Sequence, residues 1–85
     1  MKLRFSQEAL QQLTKIDKTY AQRIVQKLEW YVQQEDPLQF ARPLSGFDAL
    51  YRFRVGKYRI LVTPDGTVLV VLRIAKRSSV YRELQ

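Results

Sequence analysis

A short stretch in the second half of the chain combines positive charge with a β-strand pattern. From Tyr51 to Arg59 the sequence reads YRFRVGKYR, in which cationic side chains alternate with aromatic or branched apolar ones. Successive side chains of a strand point to opposite faces of the sheet. The alternation therefore predicts one face that packs into a core and another that carries positive charge. Such a face suits an anion, because the planar guanidinium group of arginine matches the geometry of phosphate.

The glycine in this stretch predicts the register of a hairpin. If Gly56 and Lys57 form a two-residue turn, Arg54 lies directly opposite Arg59. Opposed like charges destabilise a hairpin by up to roughly 1 kcal/mol, so the pair favours a bound anion, although long arginine side chains can also extend separately into solvent. A larger cluster weakens this second interpretation. The predicted basic face consists of Arg52, Arg54, Arg59, Arg73 and, if the strand continues, Arg77.

A second turn predicts the register of the next strand. We interpret residues 64–66, Pro-Asp-Gly, as a three-residue connection. In that register the core-facing residues are Val68, Val70, Leu72 and Ile74. The basic face then also carries Leu50, Leu61, Leu69 and Val71. A purely solvated face has no need of these apolar residues, so we expect the C-terminal segment, another chain or both to cover it.

The elements that position these residues predict an α+β fold. Lys2 to Phe5 is expected to form a short first strand, and Ser6 and Asp17 are expected to cap two helices, the second ending by Pro37. The short connection between them predicts an antiparallel helical hairpin. Residues 39–48 are expected to be irregular. A three-stranded antiparallel meander is predicted over Leu50–Val55, Tyr58–Thr63 and Thr67–Ala75.

Composition limits the class of protein. A chain of 85 residues with 46% hydrophobic residues fits a single compact domain over residues 1–85. There is no cysteine, and no apolar run is long enough for a signal peptide or a membrane span, so we expect a cytoplasmic protein that does not contact a membrane.

The positive charge is concentrated in the second half of the chain. Residues 1–36 contain six lysine or arginine residues against five acidic ones, whereas residues 37–85 contain nine against three. Taken by itself, and before the lack of a membrane segment is considered, this charge balance favours nucleic acid, an acidic membrane or an acidic protein as the partner. A basic surface that is merely solvated would have the same composition.

Several short motifs occur in an order that resembles the RelE/ParE superfamily of toxins from prokaryotic toxin-antitoxin pairs. The resemblance covers nearly the whole chain, including the strand and two helices that precede the motifs. The residues that carry it are Pro43, Leu44 and Gly46, the YRIL stretch at Tyr58–Leu61, and Lys76, Arg77, Val80 and Tyr81.

The resemblance implies one of two activities. RelE-like members cut messenger RNA in the ribosomal A site by attack of the ribose 2′-hydroxyl on the adjacent phosphate, with no metal or cofactor. ParE-like members bind DNA gyrase and poison it. Members of both branches are inhibited by a cognate antitoxin, which is expected here to cover the basic face. The ribosome and messenger RNA are the other expected partners, and no homo-oligomer is expected outside the antitoxin complex.

The RelE-like interpretation assigns roles to individual residues. Arg59, Arg77 and Tyr81 match catalytic positions, with the arginines stabilising charge on phosphate and the tyrosine stacking on a base. Residues expected to bind substrate are Arg52, Arg54, Lys57, Arg73 and Lys76. RelE itself has lysines at the positions of Arg52 and Arg54, and this chain contains no histidine. The general base is therefore unassigned, with Lys57, Lys76 and Tyr81 as candidates.

Three functions fit these observations. A ribosome-dependent endoribonuclease is the leading hypothesis, because arginines followed by a tyrosine form a phosphate clamp that a gyrase inhibitor has no evident need for. A ParE-like gyrase inhibitor and a basic RNA-binding module without catalysis are the alternatives.

Overall fold

The protein folds into two helices packed on a five-stranded mixed sheet, in a computed structural model that describes residues 1–76. The helices are α1 (Gln7–Thr14) and α2 (Lys18–Val32), and a short 3-10 helix spans Pro37–Phe40. The strands are β1 (Lys2–Phe5), β2 (Arg42–Pro43), β3 (Tyr51–Val55), β4 (Tyr58–Asp65) and β5 (Val68–Lys76). Their order in the sheet is β1-β5-β4-β3-β2, with β1 parallel to β5 and the other neighbours antiparallel. The predicted α+β class and meander are confirmed.

Both predicted helix caps are present. The Ser6 hydroxyl oxygen accepts a hydrogen bond from the Ala9 amide at 3.0 Å, and Asp17 accepts one from the Thr19 amide at 3.2 Å. The Ser6 hydroxyl also donates to the Leu72 carbonyl at 2.9 Å, which ties the start of α1 to β5. The Ile74 amide of β5 donates to the side chain of Gln12, so side chains of α1 satisfy backbone groups of β5.

The hydrophobic core lies between α2 and one face of the sheet. Ile24 and Leu28 of α2 and Phe53 of β3 are at most 1% exposed. The predicted core face of the first hairpin is confirmed, since its members belong to this cluster or pack against it: Tyr51, Phe53, Val55, Tyr58, Ile60 and Val62. Within residues 1–76, no helix is long and apolar enough to cross a membrane.

The register of the first hairpin is as predicted. Val55 pairs with Tyr58 and Arg54 pairs with Arg59, across a turn formed by Gly56 and Lys57. Gly56 has a φ of +58°, a conformation that side chains other than hydrogen disfavour. A Cβ at Gly56 would meet no atom within 4 Å, so the backbone angle, and not crowding, accounts for glycine here.

The predicted connection between the second and third strands of the meander is wrong. Pro64 and Asp65 belong to β4, where they pair with Leu69 and Val68, and the turn is a two-residue one. Leu69 lies on the core face and is 0% exposed. The glycine and threonine at 66 and 67 therefore form the turn. Thr63 pairs with Val70, whereas the predicted three-residue connection places it opposite Thr67, so the pairing of the first part of β5 is shifted by three residues from the prediction.

A β-bulge reverses the side-chain alternation within β5. Leu61 pairs with Arg73 and Val62 pairs with Val71, which leaves Leu72 as an extra residue. Val71 before the bulge and Ile74 after it are therefore both buried in the core. The prediction was correct for Ile74 and wrong for Val68, Val70 and Leu72, whose place in the core is taken by Leu69 and Val71.

The segment expected to be irregular contains one further strand. β2 pairs with β3 at the sheet edge, with Arg42 opposite Arg52 and Pro43 opposite Tyr51. Proline is compatible with an edge strand, because the missing amide has no neighbour to bind there. This short strand adds Arg42 to the sheet.

Candidate functional site: an arginine face

Five arginines of strands β2 to β5 lie on the sheet face opposite the core, and we call this surface the arginine face. Its members are Arg42, Arg52, Arg54, Arg59 and Arg73. The pairing places them in two rows across the sheet. One row runs Arg42, Arg52, Leu61, Arg73, and the other runs Arg54, Arg59, Ala75. Four of the five predicted members are thus brought together, and Arg77 lies outside the described residues.

Leu61 lies in the middle of the first row. It is only 3% exposed, although it is not part of the core cluster beneath the other sheet face. Its neighbours across the sheet are Arg52 and Arg73. Of the strand residues predicted to make this face partly apolar, only Leu61 lies on it. Leu69 and Val71 are in the core instead.

Arg59 holds a polar atom that is buried without a partner. Its Nε is inaccessible and has no hydrogen-bond acceptor within residues 1–76. A buried donor left unsatisfied costs about 1–3 kcal/mol, so an anionic oxygen placed beside Nε would be stabilised. Across the sheet, Arg59 pairs with Arg54 of β3 on one side and with the small Ala75 of β5 on the other. Nothing bulky from β5 therefore pairs with Arg59 in the sheet.

Arg73 is held by an ion pair with α1. Its Nε donates to the Glu8 carboxylate at 2.8 Å, and the two side chains are 17% and 49% exposed. An ion pair of this exposure contributes at most about 1 kcal/mol to stability. Its main consequence is to fix the position of Arg73 and to offset part of its charge.

A cleft opens at the β2 side of the arginine face. It has a volume of about 280 Å³ and is lined by Phe40, Arg42, Arg52 and Arg54. Sequence reasoning missed Phe40 and Arg42, because β2 is too short to show an alternating pattern. The feature of the sequence that could have identified them is their position shortly before Pro43, the first residue of the PL-G motif.

A larger cavity of about 410 Å³ lies between the two helices. Its lining residues are Leu13, Ala21, Gln22, Val25 and Gln26, none of which carries a charge. This cavity therefore offers no site for phosphate, and the chemistry suited to an anion is on the other face of the sheet.

Lys57 and Lys76 do not join the arginine face. The Nζ of Lys57 lies 5.1 Å from the centre of the Tyr20 ring of α2, and the Nζ of Lys76 lies 6.0 Å from the centre of the Tyr58 ring. Tyr58 is buried in the core cluster, and its ring is 6.0 Å from that of Tyr20. Both lysines therefore lie on the α2 side of the sheet, apart from the arginines, and their predicted role in substrate binding stays a prediction.

The family of the chain follows from its sequence. Residues 3–81 match the ParE toxin of the type II toxin-antitoxin system parDE. The chain belongs to this toxin family. The predicted membership of the RelE/ParE superfamily is thereby confirmed, and the protein is a toxin of a type II toxin-antitoxin system.

Solved structures of the superfamily share the fold of the toxin. The Mycobacterium tuberculosis RelBE2 toxin-antitoxin complex contains a chain with 26% identity and a TM-score of 0.75, with 92% of each chain covered. A chain of the Methanococcus jannaschii RelB-RelE antitoxin-toxin complex has 21% identity and a TM-score of 0.77, covering 96% of the toxin and 99% of that chain. The chromosomal ParDE system of P. aeruginosa gives 20% identity and a TM-score of 0.70, covering 89% and 95%. No curated protein sequence matches the toxin.

A chain of aromatic rings connects the core of the toxin to the cleft. The buried Phe53 stacks on Tyr31 at 4.4 Å between ring centres, Tyr31 lies 5.3 Å from Phe40, and Phe40 lies 5.3 Å from Trp30. Burial raises the pKa of Tyr31 above its usual value, because the charged phenolate is poorly solvated there. Phe40 is thus fixed from behind by rings that reach into the core.

The remaining predicted site residue of the toxin is Tyr81. It lies outside the described residues, as does Arg77. Their predicted catalytic roles therefore stay predictions that depend on the resemblance.

Proposed function

We propose that the toxin is a ribosome-dependent endoribonuclease that acts in the cytoplasm and inhibits translation by cutting messenger RNA in the ribosomal A site. The observation that supports this proposal most strongly is the buried, unpartnered Nε of Arg59 within a face of five arginines. Once a shift of the Arg59 side chain exposes Nε, a phosphate oxygen would satisfy that donor, and the surrounding arginines would balance the charge of a phosphodiester.

The proposed reaction requires no metal or cofactor. The ribose 2′-oxygen attacks the adjacent phosphorus as its proton is removed, and the 5′-oxygen leaves and takes up a proton. The products are a 2′,3′-cyclic phosphate and a 5′-hydroxyl. Arg59, together with Arg77, would stabilise the negative charge of the phosphorane, and Arg52 and Arg54 would hold the RNA backbone in line for attack.

The position of the lysines narrows the choice of proton acceptor. Lys57 and Lys76 are near the aromatic rings of Tyr20 and Tyr58 on the α2 side of the sheet. An acceptor must come within hydrogen-bond reach of the 2′-hydroxyl, which in this proposal lies over the arginine face. Of the three candidates, Tyr81 is the one we retain, in addition to its proposed role of stacking on a base.

An antitoxin would be the physiological partner of the arginine face. The solved M. tuberculosis and M. jannaschii structures are toxin-antitoxin complexes. We propose an acidic or amphipathic antitoxin segment that pairs with the arginines and covers Leu61. A complex in which the antitoxin left every arginine of this face accessible would contradict this part of the proposal.

A second candidate function is inhibition of DNA gyrase. The observation that favours it is the match of residues 3–81 to the ParE toxin family. A gyrase inhibitor would need no reaction chemistry, and the arginine face would then serve to bind protein or DNA. A non-catalytic RNA-binding module differs from both, since it would bind RNA and leave it intact.

One experiment with two arms separates these functions. Purified toxin is added to ribosomes programmed with a defined messenger RNA, and cleavage is mapped by primer extension. In the second arm the same preparation is added to gyrase and supercoiled DNA. We expect cuts at the A-site codon and unaffected gyrase. Trapped gyrase on cleaved DNA, with messenger RNA intact, would establish the second candidate in place of the first.

The roles of individual residues can be tested in the ribosome arm. A double variant, Arg59→Ala with Arg77→Ala, should abolish cleavage while its thermal unfolding stays that of the wild type. Normal cutting by the folded double variant would show that the catalytic assignment is wrong.

A further inference from the structure

The cleft beside the arginine face contains an exposed aromatic ring as well as cations. Phe40 is the last residue of the 3-10 helix, is 41% exposed and lines the cleft together with Arg42, Arg52 and Arg54. A single exposed phenylalanine is common at protein surfaces. Phe40 is different because three guanidinium groups share its cleft, and a ring beside cations is the combination that binds nucleotides, with stacking for the base and charge for the phosphate.

The ring of Phe40 is held in place before any ligand binds. It lies 5.3 Å from Tyr31 at an interplanar angle of 30°, and 5.3 Å from Trp30 at 61°. Tyr31 in turn stacks on Phe53, which is 0% exposed. A ring that is fixed in this way loses little conformational entropy on binding, so a base that stacks on it keeps more of the interaction energy.

The charges around the cleft favour an anion at a defined place. Arg42 and Arg52 are directly opposite each other in the β2-β3 pairing, and like charges in such positions repel. A phosphate between them would turn this repulsion into two attractive contacts. The cleft volume of about 280 Å³ lies just below the roughly 300–1,000 Å³ typical of small-ligand sites, which suits one nucleotide and not a folded partner.

We propose that Phe40 is the stacking surface of a subsite for one nucleotide of single-stranded RNA, with its phosphate between Arg42 and Arg52. The inference depends on the proposed function, since it assumes that the toxin binds RNA. Arg52 and Arg54 line the cleft and also belong to the arginine face, so the nucleotide belongs to the same strand as the phosphate at Arg59. Stacking accepts any base, so this subsite adds affinity and position without adding sequence preference.

The test measures binding of RNA to the full chain without the ribosome. The probe is a fluorescently labelled single strand of about six nucleotides with 2′-O-methyl groups, which block cleavage, and binding is followed by anisotropy. The central variant is Phe40→Leu, which keeps an apolar side chain but removes the flat ring. Phe40→Trp restores a ring. Phe47→Leu is the matched control, because Phe47 is 42% exposed and does not line the cleft.

We expect Phe40→Leu to weaken binding about 5- to 100-fold, the range typical for loss of one stacked base, and Phe47→Leu to leave it unchanged. Phe40→Trp should bind as tightly as the wild type. Trp30 is the single tryptophan and lies 5.3 Å from Phe40, so its fluorescence should change when RNA binds to the wild type. Thermal unfolding of each variant serves as the control that the fold is retained.

Three results would overturn the inference, and they are distinguishable. If Phe40→Leu binds RNA as the wild type does while Arg52→Ala binds weakly, the subsite is wrong and the proposed function stands. The same conclusion holds if Phe40→Leu weakens only antitoxin binding, which would assign the ring to protein recognition. If the wild type neither binds the probe nor cuts messenger RNA on the ribosome, the proposed function fails and the subsite fails with it.

Discussion

Arg59 and Arg73 lie on neighbouring strands but differ in what their guanidinium groups contact. Arg73 donates its Nε hydrogen to Glu8, whereas the Nε of Arg59 is buried without an acceptor within residues 1–76. At the scale of single residues, the arginine face therefore contains one side chain held by an ion pair and one whose buried Nε has no partner among residues 1–76. We infer that Arg59 makes the contact with phosphate that matters most for function.

A second prediction at the scale of single residues concerns Tyr31 and the pH dependence of the free energy of unfolding. Its burial raises the pKa of the phenol above the usual value of 10.0. In the unfolded chain the phenol ionises near that usual value, while in the folded protein it stays neutral to higher pH. The free energy of unfolding therefore contains a contribution that is complete below pH 10.0 and is lost as pH rises through the raised folded pKa.

The measurement is urea unfolding of the wild type and of Tyr31→Phe at about pH 8 and about pH 10.5. The other titrating groups are common to both proteins, so the difference between them isolates Tyr31. We expect the wild type to lose more stability than Tyr31→Phe between the two pH values. Equal losses would contradict the proposed cause.

At the scale of secondary-structure elements, α1 is attached to β5 through side chains. Ser6 caps α1 and also donates to the Leu72 carbonyl, at the β-bulge of β5. Ser6→Ala removes both hydrogen bonds, and we expect it to lower the free energy of unfolding by about 1–2 kcal/mol. Asp17→Ala removes one exposed cap of α2 and should cost less. Urea unfolding of the two variants checks this, and equal losses would show that the contact with Leu72 contributes nothing.

The elements also show which features the sequence could predict. Gly56 sets the first turn and the alternation around it sets the faces, so the pairing of Arg54 with Arg59 followed from local chemistry alone. The bulge at Leu72 could not be predicted in this way, because an apolar run from Val68 to Leu72 fits either face of the sheet. Assuming unbroken alternation, we assigned Arg73 correctly and its apolar predecessors wrongly.

The candidate site was predictable to the same extent. The arginines of β3, β4 and β5 lie where alternation placed them. Arg42 and Phe40 were missed, since pairing between β2 and β3 depends on tertiary contacts that two residues cannot encode by pattern. Lys57 and Lys76 approach the rings of Tyr20 and Tyr58, and such cation-π contacts leave no periodic signal in the sequence.

At the scale of the whole molecule, the sheet separates the hydrophobic core from the proposed binding surface. Its inner face, with α2, forms the hydrophobic core, while the outer face carries the five arginines. Residues 37–76 contain seven basic side chains against two acidic ones, so the excess positive charge of this part of the chain lies mainly in the sheet and its connections. This division allows an arginine to be removed from the outer face without emptying the core. The central claim can therefore be tested by substitution.

The most direct test is the rate of A-site messenger RNA cleavage by wild-type toxin, Arg59→Ala and Arg23→Ala on programmed ribosomes. Arg23→Ala removes the same charge from an exposed position on α2, on the other side of the sheet. Loss of one donor to a transition-state oxyanion typically costs about 100- to 1,000-fold, so we expect that reduction for Arg59→Ala and a nearly unchanged rate for Arg23→Ala. Cleavage by folded Arg59→Ala at the wild-type rate would contradict the account.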